Sequence, residues 1–114
     1  MINMNTVTIE SAEQKDYASW LPLWINYQTF YRTKISDKVT KLTWERFLTP
    51  SEPLYCAVAK YDGKIVGLVH YLFHRSTWAE SNYCYLEDLF VSEDVRGQHI
   101  GKQLIEYVQQ QAKK

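Results

Sequence analysis

The dipeptide Asp62-Gly63 separates two runs of alternating or continuous apolar character, Leu54–Tyr61 and Lys64–His74. Aspartate and glycine both tolerate positive φ, which a two-residue turn needs if it is to follow the right-handed twist of its strands. The two runs therefore form an antiparallel hairpin. The second arm adds a stronger constraint, because it is apolar on both parities: Ile65, Val69, Tyr71 and Phe73 on one, Val66, Leu68 and Leu72 on the other. A strand of that kind lies inside its sheet with both faces covered. The rest of the chain must supply two packing layers around it.

The flanking segments provide them. Thr6–Glu10 alternates and predicts a first strand, followed by a polar connection over Ser11–Lys15. Tyr17, Trp20, Leu21, Trp24, Ile25, Gln28 and Tyr31 recur at helical spacing and predict an amphipathic helix with an aromatic face. Proline is tolerated in a first helical turn and not in an interior. Pro22 therefore predicts Ser19 as the cap and a regular helix over Trp20–Tyr31, preceded by a separate helical turn. After a polar loop (Arg32–Lys38), Thr40–Leu48 predicts a short helix with Leu42, Trp44, Phe47 and Leu48 apolar. It is stopped by Thr49–Pro53. Beyond the hairpin come a loop, Arg75–Ser81, a fourth strand, Asn82–Val91, and a helix, Gln98–Ala112. Ile100, Leu104, Ile105 and Val108 form that helix's inner side. The order β-α-α-β-β-β-α over 114 residues describes one small α/β domain.

Composition narrows the partners. Thirteen basic residues balance thirteen acidic ones, so no global field draws the chain to nucleic acid or to an anionic membrane. Met1–Trp20 has no apolar run of the signal-peptide kind, and the longest uncharged apolar stretch, Ile65–Phe73, is too short to span a bilayer. A cytoplasmic protein is the expectation. Cys56 and Cys84 fall in predicted strands without a C-x-x-C spacing, and read as reduced, buried thiols. The three histidines are far apart, so no metal site is expected.

The segment with most chemical content runs from the fourth strand through a polar turn, Ser92–Val95, into the last helix. A helix start presents unpaired N–H groups and partial positive charge. Arg96 and Lys102 add formal charge there, and Gly97 and Gly101 let the backbone turn or approach a ligand. Taken alone, this is equally an ordinary strand-to-helix turn. The whole stretch resembles the core motif of the GNAT superfamily of acetyl-coenzyme-A-dependent N-acetyltransferases. That motif is a strand followed by Arg/Gln-x-x-Gly-x-Gly/Ala at a helix head. It maps onto Arg96, Gly97, Gln98, His99, Ile100 and Gly101, with His99 in place of the first motif glycine. A side chain at 99 is accommodated if its φ is negative. Y-L-E-D-L-F-V, residues 85–91, looks most like the polyamine and histone-type branch.

The resemblance implies a GNAT-like mixed sheet flanked by helices, with this chain lacking the family's last strands and helix. It implies acetyl-CoA as cofactor, held by the backbone of Leu89, Phe90 and Val91 and by residues Arg96 through Lys102. It implies direct transfer of an acetyl group to a primary amine, on a small molecule or a peptide, with Tyr31 and Trp78 near the acceptor and Tyr27 as a further candidate. Incompleteness implies a homo-oligomer or a completing partner chain. The alternative is a non-catalytic module derived from the same fold that works by association.

Amine acetylation also needs a group that accepts the amine proton. Glu87, an acid inside the fourth strand, is the candidate, and its family counterpart commonly has this role. The other reading is an exposed or ion-paired strand residue. Strand parity places Asp88 on the opposite face, in a structural or substrate-side role. Cys84 as an acetyl-accepting nucleophile is the rival mechanism. No neighbour in sequence activates it, and parity separates it from Glu87 unless a bulge intervenes.

Overall fold

The computed structural model describes residues 7–95 and 99–113. Four antiparallel strands, β1 (Val7–Ser11), β2 (Leu54–Tyr61), β3 (Lys64–His74) and β4 (Tyr83–Val91), form one sheet in the order β1-β2-β3-β4. Helices α1 (Tyr17–Phe30) and α2 (Asp37–Phe47) cover one face, and α3 (Ile100–Ala112) covers the other. The element order matches the sequence reading, with ends shifted by a few residues. At the hairpin, Asp62 and Gly63 take φ of 53° and 77°, so both central residues are left-handed.

Strand β3 is internal and carries both cores. Val69 and Tyr71 pack with Ala57, Ala59, Ile100, Leu104 and Val108 beneath α3. Leu68 packs on the other face with Val58, Trp20, Leu23, Trp24 and Trp44. A register shift at Ala59/Lys60 moves Val66 to the α3 side, away from the parity it shares in sequence with Leu68. Gly67 lies under α3, where an added Cβ would meet Leu104 Cδ1 at 3.2 Å and Ile100 Cγ2 at 3.4 Å. The absence of a side chain there lets α3 sit close to the sheet.

Three sequence expectations about the helices are corrected. First, α1 begins at Tyr17 and continues through Pro22. It grows out of a 3-10 turn, Gln14–Asp16, in which Asp16 Oδ2 accepts from Glu13 N at 2.8 Å. Asp16 is buried and also pairs with Lys60 at 3.2 Å, which fixes the start of the helix against β2. An interior proline costs about 3 kcal/mol. Burial of Trp20, Leu23 and Trp24 on the opposite side returns roughly 1.5–3 kcal/mol for each side chain. Ala18 and Pro22 are exposed, so the carbonyl that lost its N–H donor faces water. Second, α2 starts three residues earlier than its apolar pattern, because Ser36 Oγ caps it by accepting from Val39 N at 3.1 Å. Third, Ile25, Leu42, Leu48 and Ile105, expected on inner faces, are exposed, while Gln28 is buried and accepts from Ile35 N at 2.8 Å.

Candidate functional site

The site is built around an irregularity in β4. His70 pairs with Asp88 and Tyr71 with Leu86, so Glu87 is an extra residue on β4 with no partner on β3. This is a β-bulge, which re-aims side chains on the bulged strand. Its effect appears in the packing. Cys84, Leu86, Leu89 and Val91 all lie on the α3 side, whereas Phe90 packs on the α1/α2 side. Glu87 and Asp88 line the same cavity, between β4 and helices α1 and α2. The parity argument that set these two acids on opposite faces is therefore wrong at this point. Cys84 is separated from Glu87, as parity required.

The two acids have different surroundings. Asp88 Oδ1 accepts from Tyr27 OH at 2.7 Å, and Asp88 Oδ2 lies 2.9 Å from His70 Nδ1. On the far side of the imidazole, Trp20 Nε1–H donates to His70 Nε2 at 3.1 Å. An indole nitrogen only donates, so Nε2 must offer its lone pair and the ring proton sits on Nδ1, donated to Asp88. The chain Trp20–His70–Asp88–Tyr27 is thus directional, and both Asp88 oxygens are engaged. Burial, reinforced by the Asp88 hydrogen bond, pushes the Tyr27 hydroxyl well above the usual phenol range, so Tyr27 acts as a donor. Glu87 is exposed and outside this chain.

The cavity holding both acids has a volume of about 380 Å³. Its walls include Trp24, Val39 and Phe47, and its one lysine or arginine is Arg46, on α2. Trp24 is buried, and its Nε1 is a buried donor without an acceptor among the described residues. A second cavity of about 430 Å³ follows the end of β4, between Asn26, Thr29 and Phe30 of α1 and Phe90, Ser92 and Asp94. A larger space of about 480 Å³ between α1 and the start of α2 includes none of the β4 residues. We take the cavity at the bulge as the candidate reaction site, because it brings carboxylates carried on β4 itself, Glu87 and Asp88, to one space beside α1 and α2.

The remaining site residues are placed as follows. β4, which carries Leu89, Phe90 and Val91, pairs only with β3 among the described residues and so lies at the edge of the sheet. Arg96, Gly97 and Gln98 lie outside the described residues. His99 has φ 61° and ψ 25°, the left-handed conformation, and makes no side-chain capping hydrogen bond to α3. The expectation of negative φ is corrected: the motif position keeps a glycine-like backbone although it carries histidine. Ile100 is buried in the core beneath α3, leaving only its backbone for a ligand. Lys102 is exposed in the first turn. Among the described residues, a Cβ at Gly101 would meet only Val91 Cγ2, at 3.9 Å. Tyr31 is exposed at the end of α1, with ring centroids 4.9 Å from Tyr27 and 5.1 Å from Phe30. Trp78 is 91% exposed in the loop before β4 and lines none of these cavities.

Desolvation raises the Cys84 thiol above its usual range, which reduces the thiolate fraction a nucleophile needs. Cys56 is fully buried and raised further, again by burial first. Among the described residues, no group of three or more His, Cys, Asp or Glu side chains could hold a metal ion. No helix among them is long and apolar enough to cross a membrane.

With this geometry in place, comparison with known proteins is decisive for the family. Residues 15–114 match the model of the Acetyltransferase (GNAT) family. The chain belongs to that family. It is 35% identical over 115 aligned positions to the D-amino-acid N-acetyltransferase HPA3 of Saccharomyces cerevisiae, spanning 98% of this chain and 70% of the yeast protein. The GNAT fold is matched in solved structures as well. A possible acetyltransferase from Clostridium difficile 630 superposes with a TM-score of 0.81 at 17% identity, covering 95% of this chain and 72% of that one. The ribosomal-protein-alanine N-acetyltransferase of Brucella melitensis biovar Abortus 2308 gives 0.75 at 22% identity, with the same coverage of 95% and 72%. The protein is a GNAT-type N-acetyltransferase.

The network around His70 was not read from the sequence. Parity sets Asp88 on the face opposite Glu87, in a structural or substrate-side role, and Trp20 reads only as part of a helical stripe. A histidine inside an otherwise apolar central strand was the available signal. Its partner depends on the β3–β4 register, which the bulge at Glu87 resets.

Proposed function

We propose that this GNAT enzyme transfers an acetyl group from acetyl-CoA directly to the primary amine of an amino acid, with Glu87 as general base. The observation that carries this reading is the division of labour at the bulge. Asp88 is committed to His70 and Tyr27, while Glu87 stands free at the same cavity. The yeast relative acts on amino acids by its name, which favours this acceptor class over the polyamine or histone-type one suggested by residues 85–91. The reduced cysteines suit a cytoplasmic enzyme.

The residues present fit coenzyme A. β4 lies at the edge of the sheet among the described residues, which leaves its outer side for the pantetheine arm. The start of α3 has a left-handed residue, a glycine with free space beside it and an exposed lysine, with no side-chain cap from His99. Helix N-termini of this kind hold phosphate groups. Bound acetyl-CoA supplies the acetyl thioester: an N–C bond forms, a C–S bond breaks, and overall one proton passes from nitrogen to sulfur, giving an amide and a thiol.

The chain's own part is to bind the amine beside Glu87 and to take its proton onto a carboxylate oxygen. The hydrogen-bonded series from Trp20 to Tyr27 holds the wall of the cavity in one arrangement, so the amine meets a fixed surface. Glu87→Gln should lower turnover by about 10²–10⁴-fold, the usual worth of a general base, with coenzyme A affinity unchanged. Cys84→Ala should remain active. Full activity of Glu87→Gln near neutral pH, or an isolated acetyl-cysteine, would overturn the assignment.

A further inference from the structure

We propose that Arg46 is the residue that recognises the acceptor, by binding its carboxylate while Glu87 faces its amine. This inference rests on the reading above and adds the specificity determinant. The cavity at the bulge carries two acids on the β4 side and one cation, Arg46, on the α2 side, with apolar walls at Trp24, Val39 and Phe47. A simple amine would need only the acids. A guanidinium at the same cavity suits a second, negative group on the same molecule.

Arg46 is available for that role. Its ion pair among the described residues, with Glu52, runs through Nε at 3.9 Å between side chains 48% and 40% exposed. Pairs this loose and solvated contribute about 0–1 kcal/mol, so a ligand carboxylate displaces Glu52 at small cost. The two Nη groups have no ion-pair or hydrogen-bond partner among the described residues. A guanidinium presents its donors as a planar fork that matches a carboxylate with two parallel hydrogen bonds. Asp88 is the weaker competitor for the ligand's amine, because each of its oxygens already accepts one hydrogen bond, from Tyr27 or His70, while Glu87 is exposed. The arrangement is therefore polarised, with the acceptor's acid toward α2 and its amine toward the bulge. Its side chain falls on the apolar wall.

The test is equilibrium binding by calorimetry to the full chain, using phenylalanine (each enantiomer separately) and phenethylamine, which keeps the ring and the amine but lacks the carboxylate. Phenylalanine should bind the wild type more tightly than phenethylamine does. Arg46→Gln should weaken phenylalanine binding by about 10- to 100-fold, the range for hydrogen bonds to a charged group, and leave phenethylamine unchanged. Glu52→Gln, at an exposed position, should tighten phenylalanine binding by freeing the guanidinium. Arg46→Lys, which keeps the charge but not the fork, should fall between wild type and Arg46→Gln. Equal loss for both ligands in Arg46→Gln, no loss for either, or wild-type phenylalanine binding no better than phenethylamine would overturn the proposal. Coenzyme A binding and acetyl transfer are measured separately. Their absence alongside Arg46-dependent amino-acid binding would strike the acetyltransferase reading and spare this one.

Discussion

His99 shows how one residue can keep a backbone shape that its type disfavours. Its φ of 61° is a conformation in which a Cβ crowds the following carbonyl, at roughly 1–2 kcal/mol for an ordinary side chain. Glycine avoids that contact but gives back about 0.5–1 kcal/mol in chain entropy. His99→Gly should therefore stabilise the protein slightly, by about 0.5–1 kcal/mol, and raise the melting temperature by roughly a few degrees. An unchanged or lowered melting temperature by scanning calorimetry would show that the histidine side chain has a compensating contact. The sequence flagged position 99 by its departure from the glycine motif, but a residue type does not reveal its own φ. The same limit applies to Glu87 and Asp88. That the two acids are candidates for chemistry was legible from their being in the strand. Which acid is free was not, because hydrogen bonds from Tyr27 and His70 decide it.

At the scale of elements, the seating of α3 on the sheet links the core to the proposed nucleotide end. Gly67 gives Leu104 room, and Leu104 is fully buried. Gly67→Ala should cost about 1–3 kcal/mol, the usual range for overpacking, and chemical denaturation reads it directly. An unchanged midpoint would mean that α3 can lift without loss. Gly101 offers the contrast. A methyl group there meets nothing closer than 3.9 Å, so Gly101→Ala should fold normally. Gly101→Glu places negative charge at the helix start and should abolish coenzyme A binding while helix content is retained. Unchanged affinity by calorimetry would remove the start of α3 from the cofactor site. The elements themselves were legible because each is announced locally, by Asp62-Gly63, by the aromatic stripe of α1 and by the doubly apolar β3. Two features were not. α1 runs through Pro22 because tertiary burial of Trp20 and Trp24 outweighs a local penalty. The bulge at Glu87 comes from pairing across a loop, and no local signal marks it.

At the scale of the whole molecule, the open edge of β4 is the dominant feature, since β1 is short and β2 and β3 are paired on both sides. Tyr83 and Tyr85 are half exposed along β4. A strand with a free hydrogen-bonding row and apolar side chains is a template for another strand. We expect self-association through the β4 side, and we expect specific activity to rise with protein concentration as the edge is covered. A monodisperse monomer by light scattering, with concentration-independent turnover, would reject this. The distribution of tryptophans has a further, optical consequence. Trp20, Trp24 and Trp44 are buried together, with Trp20 bonded to His70 and Trp24 centred 4.8 Å from the same imidazole, whereas Trp78 stands in solvent. Emission from the folded chain therefore divides into an external, readily quenched population and an internal one beside the candidate reaction cavity. Replacing Trp78 with phenylalanine would silence the first and turn the remaining fluorescence into a built-in reporter of that cavity.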